Sequence, residues 1–260
     1  MKKAKQTLCM ITASVLLFTA FLCAGILIGD FAEKKENEQS FVEIAQTVEN
    51  VRQDSTEAEI VAEDDETEQI LSVYRDLAEE NPHMIGWVEI EGTTVNYPVM
   101  YTPDSPSYYL RRNFSREYSD LGTPFMQENC EPYVGANRLI YGHNMLRGGM
   151  FSDLELYREK SFWEGHRRIR FDTLQSTGEY EIFAVFSVDV TKSGWYRFHD
   201  YTDGDEKNFS KYVEECKKRS FYDTGVQPQY GEKLIALVTC EYNNGDGRLV
   251  VAAREIGGTK

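Results

Sequence analysis

Apolar and polar residues follow one another along this chain with a period that changes, and the changes mark its elements. From Leu8 to Gly29 the residues form one uncharged apolar run, about 33 Å long at 1.5 Å per helical residue. From Thr67 to Glu80 the apolar positions Ile70, Leu71, Val73, Tyr74 and Leu77 recur at helical spacing, which predicts an amphipathic helix. Period two then takes over: Ile85-Gly86-Trp87-Val88-Glu89-Ile90 alternates, Glu91-Gly92 reads as a turn, and Thr94 to Val99 alternates again as the second half of a hairpin. Further strands are predicted at Arg138–Tyr141, Arg168–Phe171, Glu179–Val190, Lys233–Thr239 and Leu249–Arg254, with short helices at Ser107–Leu110, Met150–Leu156 and Asn208–Ser220. Many short strands punctuated by turns, with few helices, predict a mainly β protein built as a closed or nearly closed mixed barrel.

Charge divides the chain. Of the net charge of -15, residues 33–80 carry most, with 16 acidic against 4 basic side chains. Three parts are therefore expected: residues 1–30 as lysines plus an apolar anchor, residues 31–65 as an acidic, solvated stalk, and residues 66–260 as the folded domain. Lys2, Lys3 and Lys5 precede the apolar run and Asp30 follows it, so the positive-inside rule predicts a single-pass cell-membrane protein with a cytoplasmic N-terminus and an extracellular domain. A cleaved signal peptide is the alternative, although its apolar region is normally only about 7 to 15 residues. With no basic stripe, nucleic acid is not an expected partner. No histidine or cysteine pair has ligand spacing, so neither metal nor cofactor is expected.

Three separated residues carry the chemistry. The strand Leu237-Val238-Thr239 delivers Cys240 at its end, the polar turn Asn243 to Gly247 reverses the chain, and Arg248 opens the next strand. A thiolate is a strong nucleophile, and a fixed cation beside it lowers its pKa or stabilises an oxyanion on the attacked carbonyl. About a hundred residues upstream, Leu139-Ile140-Tyr141-Gly142-His143-Asn144 is a short apolar strand ending in a histidine. His83, His166 and His199 lack that context. Cys130 and Cys216 read as incidental, a disulfide between them being one alternative, and the backbone N–H of Glu241 is a natural second oxyanion donor.

These motifs, with Gly149-Met150-Phe151-Ser152-Asp153-Leu154 and Ile169-Arg170-Phe171-Asp172-Thr173, resemble the sortases, cysteine transpeptidases of Gram-positive cell surfaces, and class B in particular. The resemblance spans about Trp87 to Glu255. One departure stands out: the signature Thr-Leu-x-Thr-Cys has Ala236 where its first threonine belongs. The resemblance implies an eight-stranded barrel with N-terminal helices and a helix-bearing insertion before the cysteine strand. It implies Cys240 as nucleophile, His143 as acid and base, and Arg248 as oxyanion partner. It also places Thr191, Trp195 and Tyr196 on one wall of a peptide groove and Leu110 on the other, with the Glu241 side chain either touching substrate or facing solvent. The implied partners are the sorting-signal peptide of a secreted protein and an amine acceptor, from peptidoglycan or a pilin lysine. A hydrolytic surface protease using the same three residues and a non-enzymatic binding module are the rivals.

Overall fold

The computed structural model describes residues 18, 19, 21–25, 29, 35–52, 63–146, 148–240 and 246–257. The chain forms two compact units, residues 1–40 and 41–260. In the first, the described residues are helical. The expected single-pass anchor is corrected here: among the described residues no helix is long and apolar enough to cross a membrane. Most of the apolar run from Leu8 to Gly29 lies outside the described residues.

The second unit is an eight-stranded closed barrel. Its strands are β1 (Met84–Glu89), β2 (Asn96–Met100), β3 (Phe125–Met126), β4 (Asn137–Tyr141), β5 (Arg168–Thr173), β6 (Glu179–Asp189), β7 (Leu234–Cys240) and β8 (Gly247–Gly257). Around the barrel they run β1-β2-β3-β4-β7-β8-β6-β5, and β1 closes on β5 with Gly86 opposite Thr173. Pairing is antiparallel except for β2 with β3 and β4 with β7, which are parallel. Residues of β7 from Leu234 to Thr239 are all buried, because β7 runs between β4 and β8, and this burial is why its sequence reads as a continuous apolar run. The core holds Leu139, Phe171, Phe183, Phe186, Leu237 and Val251 among others. As predicted from the turns and periods, the protein is mainly β; the two-residue β3 carries no period of its own.

Helices cover the barrel: α1 (residues 41–52), α2 (Glu63–Glu80), α3 (Lys160–Gly165) and α4 (Glu206–Arg219), with 3-10 turns at Tyr108–Arg111, Ser152–Arg158 and Phe198–Asp200. The predicted helix near 208–220 is α4, begun by Asp205, whose carboxylate accepts from the Asn208 N–H at 2.9 Å. Residues 41–52 differ from the solvated stalk expected there. Phe41, Ile44, Ala45, Val48 and Val51 share one helical face within a high acidic charge, and Phe41 and Val48 are buried with Ile70, Leu71, Tyr74 and Trp87. Arg52 anchors this layer by pairing with Glu89 and, at 3.2 Å, with buried Asp172, which also accepts from the Tyr74 hydroxyl at 2.9 Å. Burial pushes the Asp172 carboxyl up, while the Arg52 charge pulls the other way.

Candidate active site

Three strand ends meet at one end of the barrel. Cys240 is the last residue of β7 and lies opposite Arg248, the second residue of β8, in the antiparallel register. On its other side β7 pairs with β4 as far as Tyr141 opposite Val238, and two further bonds carry the contact onward. The Gly142 N–H donates to the Val238 carbonyl at 3.0 Å, and the buried Thr239 hydroxyl donates to the Gly142 carbonyl at 2.7 Å. His143 is therefore brought beside the cysteine strand by pairing of segments far apart in sequence. Ala236 is fully buried between Leu139 and Ala252 in register, where a threonine would have to place a hydroxyl in an apolar layer.

Cys240 is a free, half-buried thiol. Arg248 is half-buried, lies opposite Val188 on β6, and donates from Nη1 to the Gly247 carbonyl at 2.9 Å. Tyr141 lines the same end, its hydroxyl donating to Gln127 at 2.8 Å; burial pushes its pKa up and Arg248 opposes the shift. His143 has its Nε2 2.6 Å from the Leu110 carbonyl. A carbonyl only accepts, so Nε2 carries the proton and Nδ1 is the nitrogen left to exchange one.

Two glycines make that arrangement fit. Gly122 has a φ of +62°, and a Cβ there would stand 2.7 Å from the Leu110 carbonyl oxygen and 3.1 Å from Cδ2 of His143, against both members of the bond. Gly142 faces the Phe151 ring, which a Cβ would meet at 2.6 Å. The second appeared in the histidine motif; the first lies far from every motif, and nothing local in the sequence marks it.

The expected groove residues fall in different settings. Leu110, in the 3-10 turn Tyr108–Arg111, is 40% exposed. Thr191 is in an exposed turn where its hydroxyl and N–H both donate to Asp189, at 2.6 and 3.1 Å, holding that carboxyl below its usual range. Trp195 is half-buried, with its ring 5.1 Å from that of His199. Tyr196 packs on Phe186, lies under the Arg219 guanidinium, and directs its hydroxyl to the Tyr212 carbonyl of α4. The Glu241 turn lies outside the described residues.

The remaining histidines are engaged elsewhere. His83 bonds the Tyr109 hydroxyl, His166 the Phe162 carbonyl, and His199 sits beside Asp200, its pKa lowered chiefly by burial. Cys130 and Cys216 are free and fully buried, not joined to each other. Among the described residues no group of three or more His, Cys, Asp or Glu is arranged to hold a metal ion.

A closed eight-stranded barrel that carries a thiol, a guanidinium and an imidazole at one rim has the groups that thiol-dependent acyl transfer uses. A family model for the sortase domain matches residues 88–256, and the chain belongs to the sortase family. Sortase B of Listeria monocytogenes is 29% identical over 247 residues, 93% of this chain and 94% of the relative; sortase B of Staphylococcus aureus is 29% identical over 192 residues, 73% and 77%. Among solved structures, Bacillus anthracis sortase B is 27% identical, covering 87% of this chain and 99% of that one at a TM-score of 0.69. A Staphylococcus aureus sortase B–substrate complex shares the fold at a TM-score of 0.74 and 24% identity, covering 86% and 98%. The protein is thus a cysteine transpeptidase similar to the class B enzymes.

Proposed function

We propose that Cys240 attacks a peptide carbonyl of a sorting signal, that His143 moves the proton, and that Arg248 stabilises the oxyanion, in a catalytic domain of residues 66–260. The observation that carries this reading is the register itself: Cys240 opposite Arg248, with the His143 segment tied to the same strand end. The Cys240 thiol gives its proton to Nδ1 of His143 as its sulfur bonds to the carbonyl carbon. The tetrahedral intermediate then breaks its C–N bond, and the C-terminal fragment leaves as an amine that takes that proton from Nδ1, with a thioester left on Cys240. The bond from Nε2 to the Leu110 carbonyl persists through this step. An acceptor amine then attacks the thioester, gives its proton to Nδ1, and releases the thiolate as a new amide forms. Leu110, Thr191, Trp195, Tyr196 and Glu241 are the residues proposed to contact the peptide.

The acceptor is proposed to be an amine of peptidoglycan, a pilin lysine being the second reading. Incubating the enzyme with a sorting-peptide library, with and without peptidoglycan stem peptides or lysine-bearing peptides, tests the assignment by mass spectrometry. An amide product that depends on the amine is expected. Cleavage to the free acid alone, unchanged by any amine, makes the protein a hydrolase and removes the transpeptidase scheme.

Arg248→Lys is expected to lose most activity although the charge remains. A planar guanidinium places two N–H donors in a fixed fork, whereas an ammonium is a flexible point charge. Loss of one such oxyanion donor costs about 3 to 4 kcal/mol, on the order of a hundred- to a thousand-fold in rate. Single-turnover kinetics should show the defect in acylation; near-native acylation in Arg248→Lys rules out the oxyanion role.

A further inference from the structure

Asn144 follows His143 in the sequence and has no part in the scheme above. Its carboxamide nitrogen lies 2.9 Å from the carbonyl oxygen of Cys240 and 3.2 Å from Oε1 of Glu155. A carboxamide nitrogen has two hydrogens, and here each has an acceptor. Glu155, in the 3-10 turn Ser152–Arg158, is held in its place by Arg158, whose Nε donates to Oε2 at 2.7 Å. A chain of charged and polar contacts therefore ends on the backbone of the nucleophile itself.

The location gives this contact its weight. The β4–β7 ladder ends with Tyr141 opposite Val238, and the bonds of Gly142 and Thr239 extend it by one residue. Beyond that point the histidine segment pairs elsewhere: Asn144 bridges Met150, and the Phe151 N–H donates to the His143 carbonyl at 2.9 Å. The Cys240 carbonyl is met by the Asn144 side chain where the ladder has stopped. We propose that Asn144 is a positioning residue, its carboxamide taking the place of the next ladder bond and setting the spacing of His143 and Cys240. The proposal rests on the reading of those two residues as the reacting pair. A misplacement of about 1 Å between reacting groups costs on the order of a hundred-fold, so a tie at the nucleophile's own carbonyl acts on kcat.

The test is Asn144→Asp, which keeps the shape, removes both donor hydrogens, and sets a carboxylate against two acceptors. Expected is a fall in kcat of about 10- to 100-fold with KM within about twofold. Among the described residues, the charged or titratable groups about the site include Glu155 and Arg158 from the 3-10 turn, His143 from its own segment, Cys240 from β7 and Arg248, opposite Cys240 on β8. Because a protonated carboxyl regains one donor, the ratio of variant to parent kcat should rise as the pH falls from about 8 to about 5.5. Asn144→Ala, measured alongside, should show the same kcat loss with no such rise. Glu155→Gln leaves an acceptor for Asn144 and should cost no more than about threefold. Asn144→Asp within threefold of the parent, a loss carried by KM, a pH-independent ratio, or loss of the folded state in both Asn144 variants overturns the proposal. Cys240→Ala in the same assay separates the two readings: activity there defeats the nucleophile assignment, whatever Asn144 does.

Discussion

Cys240→Ala should abolish turnover, lowering kcat by about four orders of magnitude or more, while the thermal midpoint stays near that of the parent. The thiol is the proposed nucleophile, and no neighbouring side chain replaces a sulfur that forms the covalent intermediate. Cys240 is half-buried at a strand end, so removing its sulfur leaves little cavity. Cys130→Ala and Cys216→Ala should behave in the opposite way, keeping activity and losing about 1 to 2 kcal/mol of stability. Burial pushes the Cys130 thiol up to about 11 and the Cys216 thiol up to about 12, so at pH 8 both are protonated as well as occluded. Iodoacetamide followed by peptide mapping of the native protein should therefore modify Cys240 and spare both. Labelling of Cys130 or Cys216 before Cys240, or a fully active Cys240→Ala, defeats the assignment.

His143→Ala should lower kcat on the order of a hundred- to ten-thousand-fold, the range that a positioned proton donor and acceptor contributes. His83→Ala, His166→Ala and His199→Ala should retain activity, because each of those rings is bonded away from the strand ends that carry Cys240 and Arg248. The opposite ranking, with His143→Ala active and His166→Ala or His199→Ala dead, requires a different acid.

What was legible in the sequence is what depends on near neighbours. A six-residue apolar segment before Cys240 and a polar turn before Arg248 predict two strands and their reversal, since a hairpin is specified by local period and turn composition. The cysteine–arginine pairing follows from that hairpin. The period-two segments likewise gave the hairpin of β1 and β2, and the helical period gave α2 and α4. Charge misled the reading at residues 41–52, where many acidic residues obscured an apolar helical face. Hydropathy alone suggested a membrane span, and no described helix is long and apolar enough to be one.

Only the tertiary structure decided what joins distant segments. The parallel pairing of β4 with β7 brings the segment of His143 to the end of the cysteine strand across nearly a hundred residues, and a parallel pair leaves no turn in the sequence to announce it. Closure of β1 on β5 and the two-residue β3 are equally non-local. The Leu110 carbonyl that selects the His143 tautomer is a backbone atom common to every residue, and the Gly122 that leaves room for it is one glycine among many. The proposed reacting residues are therefore legible as side-chain chemistry in short motifs. The hydrogen bonds that surround them, from the Leu110 carbonyl to His143 and from Asn144 to the Cys240 carbonyl, come from segments that meet only in the folded barrel.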